Sequence, residues 1–188
     1  MEGELLLMNE KRSMLKRVLS KLDLDEYGRL VLGDTPMVLT TRFFIAQIQK
    51  TAEEITGVNG AAALMYRAGF KGGYYFAERQ AKLFGLKGFE ILEKFISIAS
   101  VRGWWSKYEI IEFNENPLRV VMRFYNTIAE EWGNVSRAVC HMWRGSLSAI
   151  MKYIMDSTGK QVKVVGKETK CMAKGDSYCE IIIEEEIS

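Results

Sequence analysis

The stretch Glu168-Thr-Lys-Cys171-Met-Ala-Lys-Gly175-Asp176-Ser-Tyr-Cys179-Glu-Ile-Ile-Ile, near the C-terminus, decides the fold predicted for this chain. Residues 162–170 and 179–185 have the composition of β-strands, and Lys174-Gly175-Asp176 between them is typical of a turn. The stretch therefore predicts an antiparallel hairpin. Two of the three cysteines of the chain lie on either side of the turn, so the hairpin is also the first place to look for chemistry.

The residues before this hairpin alternate between helical and strand-like spacing of apolar side chains. In order, they predict an amphipathic helix over 4–22, a hairpin over 27–40, helices over 41–56, 60–84 and 87–101, a strand pair over 104–113 and 117–125, a helical turn over 126–131 and a long helix over 136–157. Strands joined by tight turns pair antiparallel. The predicted fold class is therefore α+β, an antiparallel sheet of about four to five strands packed with about five helices.

The N-terminal segment, residues 1–26, is set apart from one domain over 27–188. Its helix has an apolar face, with lysines and arginines between the apolar positions. Three interpretations remain open: the helix packs on its own core, it is a dimerisation arm, or its basic face binds a membrane surface.

Composition excludes several classes of protein. The net charge is +2, which gives no support to nucleic-acid binding. No run of about 18 apolar residues predicts a membrane span, and the acidic start of the chain is a poor secretory signal. With three cysteines and no export signal, we expect a reduced, cytoplasmic protein.

The helix predicted over 60–84 is rich in alanine and glycine. Small side chains allow a neighbouring element to approach closely, or they leave room for a ligand. The pair Gly72-Gly73 can also bend or interrupt a helix.

Glu168, Cys171, Cys179 and the third cysteine, Cys140, form a candidate metal site, because thiolate and carboxylate both bind tetrahedral Zn²⁺. A regular strand would point Glu168 and Cys171 to opposite faces, so the site requires a bulge. Four protein ligands would indicate a structural ion. Two alternatives remain: the cysteines are small buried apolar residues, or Cys171 and Cys179 form a cross-strand disulfide.

The run Cys140-His141-Met-Trp-Arg-Gly145, followed by Glu168-x-x-Cys171-x-Ala173-x-Gly175-Asp176-x-x-Cys179, resembles the C-terminal signature of the 4-vinyl reductase domain family. The family includes a protein of bacteriochlorophyll synthesis and the sensor domains of phenol-responsive transcription activators. The resemblance implies a fold similar to the TRAPP tethering subunits, commonly a homodimer. It also implies one structural zinc ion per chain, bound by Cys140, Glu168, Cys171 and Cys179. Compared with the phenol sensors, the segment between Cys140 and Cys171 is a few residues longer, with the insertion expected near 155–160.

The same resemblance implies an enclosed pocket for a small hydrophobic or aromatic molecule over residues 27–188. Such pockets are mostly apolar, with a few polar groups that orient the ligand. The candidate lining residues are His141, Trp104, Trp105, Trp132, Trp143 and Tyr75. The alternative is that the aromatic residues belong to the core and that His141 has no role in binding.

The function implied is a small-molecule sensor or carrier domain that signals through a protein partner. One competing hypothesis is a structural or tethering scaffold that acts through dimerisation. The other is an accessory subunit of a tetrapyrrole vinyl-group reductase. The sequence has no dinucleotide-binding glycine motif, phosphate-binding loop or nucleophile elbow, so an enzyme would need a bound external cofactor.

Overall fold

The structure is a computed structural model that describes the backbone of residues 2–186 and the side chains of residues 8–186. Its helices are α1 (Glu2–Leu19), α2 (Arg42–Phe84), α3 (Phe89–Val101) and α4 (His141–Ser157). Its strands are β1 (Leu22–Leu24), β2 (Leu30–Leu32), β3 (Thr35–Pro36), β4 (Lys107–Glu115), β5 (Leu118–Tyr125), β6 (Val164–Lys170) and β7 (Cys179–Glu185). Short 3₁₀ helices span Ile128–Trp132 and Met172–Lys174. The predicted α+β class is confirmed. Among the helices of this described part, none is long and apolar enough to cross a membrane.

The main sheet has the order β4-β5-β7-β6, and every neighbouring pair is antiparallel. On β5 and β7, residues alternate between a buried inner face and a more exposed outer face. The outer face carries cross-strand ion pairs such as Arg123 with Glu180 at 2.9 Å. The inner face packs against α4 and closes the hydrophobic core. The predicted C-terminal hairpin is the β6–β7 pair.

Helix α2 differs from the prediction of two separate helices. Thr41 caps its start, where the side-chain oxygen accepts a hydrogen bond from the Phe44 amide at 3.1 Å, and Gly85 ends it in the left-handed conformation. Gly57, predicted to end the first helix, does have a non-helical backbone with φ 74° and ψ 166°. The helix nevertheless continues directly after Gly57, because the change in backbone conformation is confined to this one residue.

Helix α4 begins at His141, five residues later than the sequence indicated. The connection before it is held by the C-terminal hairpin, because the Val135 amide donates to the carbonyl oxygen of Ala173 at 2.8 Å. Ser136, predicted to be the helix cap, has a positive φ of 56° instead. Cys140 occupies the capping position.

Helices α2 and α4 pack with their backbones in contact at glycines. A Cβ atom added to Gly69 would overlap the carbonyl oxygen of Met142, and one on Gly73 would lie 2.7 Å from the Cα of Ser146. Gly145 of α4 lies equally close to the backbone of Tyr66. The small residues of α2 therefore serve helix packing, the first of the two uses considered from the sequence.

The glycine contact can be tested by adding one methyl group. We expect Gly69→Ala to lower the free energy of unfolding by about 2–3 kcal/mol or more, because backbone atoms cannot move aside as a flexible side chain can. Chemical denaturation provides the measurement.

Gly72→Ala is the matched control, since no atom of the described residues lies within 4 Å of its added Cβ. It should raise stability by up to about 1 kcal/mol, because alanine favours the helix. Equal effects of the two substitutions would contradict the close helix contact.

Candidate functional site

Cys140, Glu168, Cys171 and Cys179 converge from separate elements on one buried point. Cys140 lies at the start of α4, Glu168 on β6, Cys171 directly after β6 and Cys179 at the start of β7. One ligand atom from each residue lies within 4.8 Å of the others. The three cysteines are at most 4% exposed, and all three are free thiols, so the disulfide alternative does not hold in this structure.

An irregularity in β6 brings Glu168 and Cys171 to the same side. Glu168 pairs with Ile181 and Lys170 with Glu180, so Thr169 is an additional residue on this strand. One additional residue reverses the alternation of side chains. The bulge that the candidate metal site requires is therefore confirmed.

Hydrogen bonds hold two of the four side chains, those of Glu168 and Cys179, in place. The Cys140 amide donates to Glu168 Oε2 at 3.0 Å, and the Met172 amide donates to Cys179 Sγ at 3.3 Å. The Thr127 hydroxyl lies 3.2 Å from Cys179 Sγ. These polar groups, rather than the nearby lysines, soften the negative charge of the cluster, since Lys170 instead contacts the hydroxyl of Tyr178 at 2.8 Å.

Without an ion, the four groups share protons unequally. Burial, followed by the neighbouring Cys171, raises the pKa of Glu168 to about 8. Hydrogen bonds from Cys140 and Cys171 lower the pKa of Cys179 to about 4, while hydrogen bonding with Cys171 and Cys179 raises the pKa of Cys140 well above its usual value. The cluster therefore favours a single negative charge among its hydrogen-bonded sulfur atoms and resists further ionisation.

One oxygen of Glu168, Oε1, is buried and has no hydrogen-bond partner in the described part of the chain. A buried acceptor without a partner costs about 1–3 kcal/mol. Together with three converging sulfur atoms, this oxygen makes a donor set that could hold a metal ion.

The aromatic residues proposed for the pocket form a cluster beside this site. The ring of Trp143 makes edge-to-face contacts with Trp104 and Trp105, at centroid distances of 4.8 and 4.6 Å. Phe95 lies 6.3 Å away on another side. Trp105 and Trp143 are buried, so much of the cluster belongs to the core.

Two small cavities flank the cluster. The inner cavity, of about 10 Å³, is lined by Ile45, Gln49, Met65, Ile128, Trp132, Val139, Cys140, Met142 and Trp143. The outer cavity, of about 90 Å³, is lined by residues 38–42, Ile45 and 102–104. Ile45 borders both cavities, and the contact between Trp104 and Trp143 continues the same wall. The inner cavity reaches Cys140, so it adjoins the candidate metal centre.

Two of the proposed lining residues lie elsewhere in the described structure. Tyr75 is 44% exposed and lies under the guanidinium group of Arg79. His141 is buried, and neither ring nitrogen has a partner among the described residues. Burial, followed by the charge of Arg144, lowers the pKa of His141 to about 4, so the ring is neutral at pH 7.

Sequence reasoning missed Ile45, Gln49 and Met65, which α2 contributes to the inner cavity. Gln49 is only 2% exposed and donates to the Val139 carbonyl oxygen at 3.1 Å. Gln49 is a polar residue on the apolar face of the helix predicted over 41–56, and this position could have indicated a role in the interior. Thr127, which contacts Cys179, had no such signal.

Residues 121–185 match the family model of the 4-vinyl reductase domain, and they include Cys140, Glu168, Cys171 and Cys179. The chain therefore contains a 4-vinyl reductase domain over these residues. Residues 18–111, half of the chain, match the family described as a domain of unknown function (DUF5943), and the chain belongs to that family. No curated protein sequence matches this 4-vinyl reductase domain protein significantly.

Solved structures share the fold of this family member at low sequence identity. The phenol-responsive sensory domain of the transcription activator PoxR with phenol has a TM-score of 0.76 and 18% identity, covering 93% of this chain and 89% of that chain. Subunit 3 of a trafficking protein particle complex from Naegleria fowleri, covalently bound to palmitic acid, has a TM-score of 0.56 and 12% identity, covering 78% and 95%. A vinyl-4-reductase family protein from Methanocaldococcus jannaschii has a TM-score of 0.52 and 16% identity, covering 82% and 85%. At these identities the likeness concerns the fold.

Proposed function

We propose that this 4-vinyl reductase domain protein is a small-molecule sensor or carrier domain that binds an aromatic ligand next to a structural zinc ion. The observation that carries the proposal is the inner cavity, which is walled by tryptophans and reaches the cysteine cluster through Cys140. The similarity in fold to a phenol-responsive sensory domain supports the same function. A protein partner would receive the signal.

The chemistry of the cavity favours an aromatic molecule with one hydrogen-bond acceptor. Trp132 and Trp143 line it, and their indole N–H groups are buried without an acceptor among the described residues. A buried donor without a partner is unfavourable, so a phenolic or carbonyl oxygen would gain from meeting it. The remaining wall is mostly apolar and suits a ring.

Ligand binding requires the wall to move. A volume of about 10 Å³ holds no more than about one water molecule, whereas a benzene-sized ligand occupies a cavity of roughly 150 Å³. Ile45 separates the inner from the outer cavity, so displacement of the α2 segment that carries it would join the two.

Substitutions at Ile45 test the ligand site in both directions. With phenol as the probe and calorimetry as the measurement, we expect Ile45→Ala to bind more tightly than the wild type, because the two cavities become one. Ile45→Trp should weaken binding by at least about tenfold, because the larger side chain fills the space.

Ile111→Ala and Ile111→Trp are the controls, since Ile111 is 48% exposed on β4. Both should bind phenol as the wild type does. Loss of binding in the controls, or unchanged binding in both Ile45 variants, would contradict the assignment of this cavity.

The donor set fits zinc. With Zn–S bonds of about 2.3 Å, two sulfur ligands of one tetrahedral ion lie about 3.8 Å apart. Cys140 Sγ and Cys179 Sγ lie 3.6 Å apart. Glu168 Oε1, which has no partner among the described residues, would supply the oxygen ligand.

A bound zinc ion would stabilise the hairpin and its connection to α4. It would keep the three thiols deprotonated, because a bound divalent cation lowers the pKa of the thiols that coordinate it. Four protein ligands leave no open position for substrate, which favours a structural role over catalysis. Three unpaired cysteines are also consistent with the cytoplasmic location that we propose.

Metal content tests the zinc assignment. Protein purified without added zinc should contain about one zinc ion per chain, measured by elemental mass spectrometry. Cys171→Ser and Glu168→Gln should lose most of it and at least about 3 kcal/mol of stability, roughly 6–12 °C in Tm for a chain of this length, since metal binding contributes to folding free energy.

Glu180→Gln serves as the control, because Glu180 lies in the same hairpin but pairs with Arg123 on the outer face. It should retain full zinc content. A Cys171→Ser protein with unchanged zinc would rule out the four-ligand site.

We also propose that the protein is a homodimer. Helix α2 presents a set of large apolar side chains that are 42–77% exposed: Phe43, Phe44, Ile48, Ile55, Val58 and Leu64. Exposed apolar side chains in this number on one element are typical of an interaction surface. A second copy can present the same face in the opposite direction, which gives a closed two-fold interface. A tethering scaffold would use the same surface.

Charge substitutions distinguish this face from the N-terminal arm. By light scattering, wild-type protein should be a dimer and Ile55→Glu a monomer, because burying an unpaired carboxylate is unfavourable. Leu19→Glu, at an equally apolar exposed position of α1, should remain dimeric. The reverse pattern would assign dimerisation to residues 1–26.

A further inference from the structure

A third cavity, larger than the inner and outer cavities, lies between α1, α3 and the start of β4, away from the tryptophan cluster. We call it the α1 groove. It has a volume of about 310 Å³, and Lys11, Met14, Ser97, Ser100, Val101 and Tyr108 are among its lining residues. This volume is within the range of small-molecule sites. The groove is half open, so a ligand can reach it without rearrangement of the core.

Lys11 gives the groove its chemical character. Its ammonium group donates to the carbonyl oxygens of Trp105 and Ser106, at 3.2 and 2.9 Å. Within residues 8–186, whose side chains are described, no carboxylate pairs with it. The ammonium is partly removed from water, and this burial lowers the pKa of Lys11. A third N–H of this group remains for a ligand.

The surroundings favour a negative ligand. Nearby, burial and then the charges of Arg17, near the end of α1, and Lys21, just beyond it, lower the pKa of Lys94 on α3. Lys107 also lines the groove, although Glu109 pairs with it at 2.6 Å. Glu10 is the acidic side chain among the described lining residues, and it is exposed.

Hydroxyl groups complete the polar side of the groove. Ser97 and Ser100 donate to the backbone carbonyl oxygens of Lys94 and Trp105, so their own oxygens remain as acceptors. Tyr108, on β4, also lines the groove and makes no side-chain hydrogen bond with the described residues. Lys11 and Tyr108 thus both offer donors to a ligand in the groove.

We infer that the α1 groove binds a small amphipathic carboxylate, with its acid group on Lys11 and its apolar part against Met14 and Val101. The site is separate from the inner cavity and shares no lining residue with it. A bound carboxylate connects α1 with α3 and β4, and therefore fastens the N-terminal helix to the domain.

The probe is 4-phenylbutyrate, with 4-phenylbutanamide as its uncharged analogue of the same shape, titrated at neutral pH by calorimetry against the full chain. The acid should bind at least about tenfold more tightly than the amide, because only the acid forms a charged hydrogen bond with Lys11. Lys11→Met should remove this preference. Lys16→Met, at an exposed position of the same helix, should preserve it.

Two further variants show which cavity the probe occupies, and measurements of folding exclude loss of structure as the cause of lost binding. Met14→Trp fills the groove from its partly exposed side and should abolish binding while circular dichroism and Tm remain unchanged. Ile45→Trp, which closes the inner cavity, should bind the acid as the wild type does. In wild-type protein, the acid should also slow amide exchange in α1.

Three results with the variants and the analogue would overturn the inference. They are equal affinity for acid and amide, unchanged binding in Lys11→Met, and loss of binding in Ile45→Trp, which would place the probe in the inner cavity. Absence of binding at millimolar concentrations in the wild type would overturn it as well. Phenol binding is measured separately, so failure of the α1 groove leaves the proposed ligand site standing, and the reverse also holds.

Discussion

The backbone contact between α2 and α4 is the constraint on which the rest of the structure depends. Glycine on both helices lets them approach until Gly69 lies against the Met142 carbonyl and Gly145 against Tyr66. Because α4 also packs on the inner face of the sheet, its position determines where Cys140 and Trp143 lie. Larger side chains at the contact would move α4, and with it one of the four residues of the candidate metal site and the centre of the tryptophan cluster.

The second constraint is local and lies in the hairpin. One additional residue in β6 turns Glu168 towards the interior, where its carboxylate accepts from the Cys140 amide and so joins the hairpin to the start of α4. The same group has its other oxygen buried without a partner in the described residues. A carboxyl group placed in this way contributes little to stability by itself, and a cation at the centre of the cluster, as we propose, would compensate for its burial.

The sequence predicted those features whose causes are local. The hairpin, the need for a bulge and the four-residue cluster follow from the spacing of Glu168, Cys171 and Cys179, and the close approach of a helix follows from small residues. The start of α4 could not be predicted, because the hydrogen bond from Val135 to Ala173 joins segments far apart in sequence. The cavity lining of Ile45 and Gln49 depends on how α2 crosses the domain, which periodicity alone does not encode.

The break in α2 at Gly57 has a mechanical consequence. Residues 42–56, before the break, carry Ile45 and Gln49 on the side that walls the inner cavity. On an adjoining side they carry Phe44, Ile48 and Ile55, which are exposed. A helix is about 10 Å thick and moves as one body, so a displacement of one side also displaces the other sides. A movement of this segment that widens the inner cavity therefore also displaces the exposed apolar side chains. A molecule bound to those side chains would then respond to the presence of a ligand in the cavity.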